Sequence, residues 1–151
     1  MDTKEVFPPL GDKVVGLADI PHFIASDWDL AEHYDTLCAW WLGNNWPALP
    51  PILLPKTGVV IEDYCAGFLY ESKDTPVMWM EYIVGNPDAD KKWRGEAQDL
   101  LIENLVKKAR SLGCKMLVVS LYKSRLIERV KKHGFKAHDH EMTNLYHTWE
   151  F

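Results

Sequence analysis

The sequence predicts an α/β fold, a single domain built on a mixed, mostly antiparallel, twisted sheet flanked by helices. Three observations carry this expectation. Three short runs rich in β-branched and aromatic residues succeed one another between positions 59 and 84, as in an antiparallel meander. A long stripe then follows, with Leu101, Leu105, Ala109 and Leu112 at helical spacing and Ile102 and Val106 widening it. Beyond it, positions 115–122 form a nearly unbroken apolar run, as a strand buried on both faces requires. Strand, crossover helix and strand make one right-handed parallel unit.

Taken in order, residues 1–12 read as an extended N-terminal tail, because Pro8, Pro9 and Gly11 oppose regular structure. The domain covers residues 13–151, and 13–17 is a short first strand. From 27 to 42, Leu30, Tyr34, Leu37, Cys38 and Trp41 give a helical stripe, with Ser26 or Asp27 as N-cap and Gly43, Asn44 and Asn45 as the stop. Four prolines between 46 and 55 restrict that segment to a loop or a single helical turn. Its Trp46, Leu49, Ile52, Leu53 and Leu54 either line a cleft or pack on the core. Strands follow at 59–63, 65–71 and 77–84, the last ended by Gly85, Asn86 and Pro87.

The long helix starts near Ala97 and ends at Gly113, a suitable C-terminal cap, with Lys107, Lys108 and Arg110 complementing its dipole. Ser124 caps a further helix with Leu126, Ile127 and Val130 inward, stopping at Gly134. Segments 136–141 and 142–148 then complete the sheet.

Composition narrows the classes. A chain of 151 residues buries about 70% of its unfolded surface on folding and needs no disulfide or metal staple. A net charge of −5 argues against a general nucleic-acid binder, although local basic stretches lie at 91–94 and 123–132. Cys38, Cys65 and Cys114 are odd in number and set in apolar surroundings, as core thiols of a cytoplasmic protein are. No apolar run reaches the ~18 residues of a membrane span, and the start lacks a basic-then-apolar signal pattern. His138, His140, Glu141 and His147 fall short of a zinc spacing, and the seven tryptophans read as core or cleft lining.

Chemistry concentrates between 77 and 97. The first N–H groups of a helix point outward and attract anions, and Lys91, Lys92 and Arg94 bring positive charge to that mouth. Glu96 and Asp99 oppose it. On the strand before it, Glu81 is a lone carboxylate in an apolar run; if buried, its proton affinity rises toward the range of a useful base. Pairing with a neighbouring Lys or Arg, or a place on the solvated rim, is the alternative account of it.

The spacing Lys92-x-x-Gly95-x-Ala97-x-x-Leu100-Leu101 resembles the pyrophosphate-binding signature of the GNAT N-acetyltransferase superfamily. There, Gln or Arg, two residues, Gly, one residue and Gly or Ala precede a helix with a leucine pair; Lys92 replaces the Gln or Arg. The likeness runs from Val77 to about Tyr146 and includes the Gly134-Phe135 ending of the last helix. It implies a GNAT-like acyl-CoA-binding domain with acetyl-CoA as co-substrate and no metal. Lys92, Arg94, Gly95, Glu96 and Ala97 would hold the pyrophosphate through backbone N–H groups, Ile83 and Val84 the pantetheine arm, and Glu81 would act as base.

The family often carries a Tyr about five residues before the Gly-Phe and an Asn at the start of that helix; here those places hold Val130 and Lys123. Tyr122 and Tyr146 are the substitutes for protonating the leaving thiolate. The function implied is direct transfer of an acetyl group to a primary amine, small-molecule or peptide, in a ternary complex. The alternative is a non-catalytic GNAT-fold module that binds CoA or a protein. A nucleic-acid-directed protein is the weakest reading, no membrane partner is implied, and the sequence leaves homodimer formation open.

Overall fold

A sheet of six strands, adjacent in chain order, forms the frame of the computed structural model, which describes residues 4–6, 21–139 and 141–149. Its strands are β1 (Lys4–Val6), β2 (His22–Asp27), β3 (Gly58–Ile61), β4 (Cys65–Glu71), β5 (Val77–Gly85) and β6 (Met116–Val118). Helices α1 (Leu30–Gly43), α2 (Arg94–Ser111) and α3 (Ser124–Lys131) and a 3-10 turn at Pro51–Leu53 complete the described elements. All neighbours pair antiparallel except β5 and β6, which run parallel on either side of α2. The chain divides into two compact units, Met1–Ser120 and Leu121–Phe151.

Within the first unit, β2 to β5 have a helix on each face. On one face, Leu37, Trp40 and Trp41 of α1 pack with Trp28, Val60, Ala66, Phe68 and Val84. The other meets α2, whose Leu101, Ile102 and Leu105 are fully enclosed, each contributing about 1.5–3 kcal/mol by burial. Gly67 permits this approach: a Cβ there would lie 2.9 Å from the Leu105 side chain. Trp46, Leu49 and Leu54 pack against the α1-side core, whereas Ile52 and Leu53 are exposed. Two phenol hydroxyls hold that proline-rich segment: Tyr34 donates to the Leu49 carbonyl at 2.8 Å and Tyr70 to the Leu53 carbonyl at 2.7 Å.

Several expected boundaries move. The N-cap of α1 is Asp29, whose carboxylate accepts from the Glu32 N–H, because β2 runs through Ser26 and Asp27 and keeps both extended. Helix α2 begins at Arg94, a turn ahead of Ala97, and closes with Gly113 at φ +88°. Strand β6 spans only Met116–Val118 and is partly exposed rather than buried on both faces. Lys4–Val6, inside the expected tail, pairs with β2; positions 13–17 lie outside the described residues.

In the second unit, α3 starts at Ser124 with Lys123 as its N-cap and buries Val130, and Gly134 takes φ +92°. The strands expected at 136–141 and 142–148 are not formed by the described residues there, whose side chains are exposed and give a strand no buried face. No helix among the described residues is long and apolar enough to cross a membrane.

Candidate functional site

Strand β5 is irregular where the chemistry was expected. Ala66 faces Val84 across the β4–β5 ladder, but Phe68 faces Glu81, so two residues, Tyr82 and Ile83, stand opposite Gly67 alone. That is a β-bulge. Tyr82 occupies φ +55°, a left-handed conformation costing a bulky residue on the order of 1–3 kcal/mol.

The extra residue resets the alternation of faces. Glu81 lies on the face of its partner Phe68, which is the α1 side. The next residue, Tyr82, brings its ring to 6.0 Å from that of Tyr70 on the same face. Ile83 turns to the α2 side beside Gly67, and Val84 returns to the α1-side core. Pairing of β5 with β6 stops at Trp79–Val118, so from Met80 onward that edge of β5 has no strand partner among the described residues of the first unit. An extended ligand could satisfy those backbone groups.

Glu81 is half-buried, and burial alone pushes its carboxyl above the ordinary range. It makes no hydrogen bond or ion pair with any described residue, so the paired reading does not hold among them. The Tyr70 hydroxyl is raised chiefly by its own burial and then by Tyr82 and Glu81, which marks the three as one cluster. Cys65, fully buried with its thiol directed to the Ala97 carbonyl, is pushed far up and is no nucleophile.

Past β5 a tight turn leads into α2. Asn86 donates to the Asp63 carbonyl at 2.8 Å and accepts from the Asp88 N–H at 2.9 Å, and Asn44 at the end of α1 donates to the Gly85 carbonyl at 2.9 Å. Arg94 reaches back across this turn: its Nε donates to the Ala89 carbonyl at 3.0 Å and its terminal NH2 to the Pro87 carbonyl. The helix has no side-chain N-cap, and the N–H groups of Arg94 and Glu96 have no partner among the described residues. Gly95 stands between them with no side chain to cover the first turn.

The five residues expected at the pyrophosphate therefore separate. The Lys92 N–H is held by the Asp90 carboxylate at 3.0 Å, and that of Ala97 by the Trp93 carbonyl at 3.0 Å, so neither is offered outward. Ala97 is buried instead against Cys65. The Lys92 ammonium lies 5.0 Å from the Trp93 ring. Arg94 directs its guanidinium into the turn rather than outward, which makes its side chain a positioning residue. Glu96, in the first turn, suits the helix dipole but opposes a second anion.

Tyr122 and Tyr146 lie in the second unit, 80% and 91% exposed, and Lys123 lies 5.9 Å from the Tyr122 ring. His138 is exposed and 3.6 Å from Asp139, and His140 lies outside the described residues. Tyr70, Trp79 and Tyr82 are site residues that sequence reasoning missed. Their clustering depends on cross-strand register and on the bulge.

One group in the first unit has the composition of a metal site: ligand atoms of Glu32, His33 and Glu62 lie within 4.8 Å of one another. The buried His33 ring, however, accepts the Asp29 N–H at Nδ1, which assigns its proton to Nε2, facing Glu62 at 3.3 Å. A metal would have to replace that proton. The arrangement is a hydrogen bond tying α1 to the end of β3.

By sequence, no family model and no curated protein matches the chain. By structure it is similar to an acetyltransferase from Trypanosoma brucei, at 17% identity and TM-score 0.58, covering 82% of this chain and 99% of that one. It is also similar to glucosamine-6-phosphate N-acetyltransferase from Arabidopsis thaliana, at 13% identity and TM-score 0.58, covering 83% of this chain and 99% of that one. The fold is therefore GNAT-like, as the spacing around Gly95 implied.

Proposed function

We propose that a GNAT-like frame with this β5 geometry serves an N-acetyltransferase, which moves an acetyl group from acetyl-CoA to a primary amine in a ternary complex. The observation that carries the reading is Glu81: a half-buried carboxylate without an ionic partner among the described residues, next to a bulge and a strand edge that β6 leaves unpaired. The residues present fit the coenzyme. The backbone of Ile83 and Val84 would hold the pantetheine arm, and the first turn of α2, at Arg94, Gly95 and Glu96, would hold the pyrophosphate with help from Lys91 and Lys92.

Acetyl-CoA supplies an activated acyl group: the amine nitrogen bonds to the thioester carbonyl carbon, and the C–S bond breaks with its electrons leaving on sulfur. Glu81 takes up the ammonium proton beforehand. An amine of pKa near 10.4 is neutral about once in a few thousand at pH 7, so unassisted proton loss adds ~4–5 kcal/mol to the barrier. Tyr122 and Tyr146 are the candidates for returning a proton to the thiolate. A thiol with a pKa near 8.5 also leaves without a dedicated acid. We place the activity in the cytoplasm, where free thiols such as Cys38, Cys65 and Cys114 persist.

Acetyl-CoA is expected to raise the melting temperature, and an amine panel to release CoA thiol. A shift without turnover favours a non-catalytic CoA-binding or protein-interaction module, a reading that draws on Val130 and Lys123 at the places of the family's Tyr and Asn. No shift removes both coenzyme-binding readings.

A further inference from the structure

We infer that the acceptor is a cationic amine on an apolar or aromatic body, held by the rings of Tyr70, Trp79 and Tyr82 beside the Glu81 carboxylate. This rests on the acetyltransfer reading and adds to it a substrate class. Trp79 stands directly opposite Tyr70 in the β4–β5 ladder, so their side chains share the α1 face. The next pair along that face is Phe68 and Glu81, with Phe68 fully buried as a floor. Because of the bulge, Tyr82 joins the same face, its ring at 63° to that of Tyr70.

Two large rings stay open to solvent there, Trp79 at 39% and Tyr82 at 47% exposure. Aromatic surface left open around one carboxylate suits a cation, which the ring quadrupole attracts within about 6 Å of the centroid. The surrounding wall sharpens the choice. Tyr70 donates to the Leu53 carbonyl, bringing the segment 46–55 to this face, and that segment contains no charged residue. A phosphorylated amine, such as the sugar phosphate named for the Arabidopsis neighbour, would set its anion near Glu81 and against an uncharged wall.

The test is calorimetric titration of the protein with amines, with and without saturating coenzyme A, which binds without reacting. The probes are 2-phenylethylamine, ethylamine, the uncharged 2-phenylethanol and glucosamine 6-phosphate. 2-Phenylethylamine should bind tightest. Trp79→Leu and Tyr82→Leu should each weaken it by roughly two- to five-fold, while Tyr82→Phe, which keeps the ring, restores parental binding. Coenzyme A affinity should stay within about two-fold in Trp79→Leu, and circular dichroism checks that each variant folds.

Glucosamine 6-phosphate or 2-phenylethanol binding as tightly as 2-phenylethylamine would overturn the inference. So would leucine variants with parental affinity. Failure of coenzyme A to bind sinks the acetyltransfer reading instead, and the amine ranking measured without it still decides the acceptor class.

Discussion

Replacing Arg94 separates two roles that the sequence merges. The motif reading puts Arg94 at the pyrophosphate, whereas its guanidinium donates to the carbonyls of Ala89 and Pro87. A hydrogen bond from a charged donor is worth ~1.5–3 kcal/mol. Arg94 is partly exposed, and both carbonyls can regain water, so the loss falls below the ~3 kcal/mol that two such bonds would sum to at the lower end, and Arg94→Gln should cost about 2 kcal/mol. With a urea m-value near 2 kcal/mol/M, the unfolding midpoint falls by ~1 M. Arg94→Lys should recover little, because one ammonium cannot reproduce the fork that reaches both carbonyls.

Coenzyme affinity should fall only a few-fold, through fraying of the first turn of α2, and its salt dependence should match that of the parent. Urea unfolding followed by tryptophan fluorescence, with calorimetric titration of coenzyme A at two salt concentrations, measures both. A stability within ~0.5 kcal/mol of the parent, together with a large loss of coenzyme affinity and a flatter salt response, would refute the positioning role.

Glu81 gives a prediction whose sign is set by burial. Its carboxyl holds a proton more tightly in the folded chain than in the unfolded one, so stability falls as pH rises from ~4.3 through the folded value, and the penalty persists at neutral pH. Glu81→Gln should therefore be at least as stable as the parent at pH 7, with the gap closing near pH 4, and the rise of activity with pH should lose its carboxylate limb. A variant less stable at pH 7 would contradict the burial argument. Gly58→Ala tests strand packing, since its Cβ would meet the Gly67 carbonyl oxygen at 2.8 Å and Trp28 at 3.0 Å; a loss of ~1–3 kcal/mol in urea unfolding is expected. Gly85→Ala is the control, with its nearest contact at 3.9 Å, and should stay near the parent.

The parts of the fold legible from sequence are those whose signal is local. Leu101, Leu105 and Ala109 fix α2 by period, Cys65–Glu71 is read to the residue, and Gly113 marks the end of a helix because its backbone is left-handed. Strand β2 escaped because His22–Asp27 lacks alternation and its Ser26 and Asp27 look like helix caps. The apolar run 115–122 overstates β6, since run length does not report where the partner strand diverges. At the site, Glu81 was visible as a lone charge, but the face it shares with Tyr70, Trp79 and Tyr82 depends on a one-residue offset in the pairing of β4 with β5, and composition carries no trace of that. The role of Arg94 was hidden for the same reason: its partners are carbonyls, which every residue has.

The proline-rich stretch beside the site hangs from the sheet and α1 by main-chain oxygens, those of Leu49 and Leu53, gripped by tyrosines that belong to other elements. Anchorage of this sort is indifferent to which side chains the stretch displays. Positions such as Ile52, which points outward, can be exchanged like the face of a cassette while the mount stays as it is. On the proposed acetyltransfer reading, the acceptor side would then diversify independently of the coenzyme side, which makes 50–53 the place to begin when retargeting the protein by directed evolution.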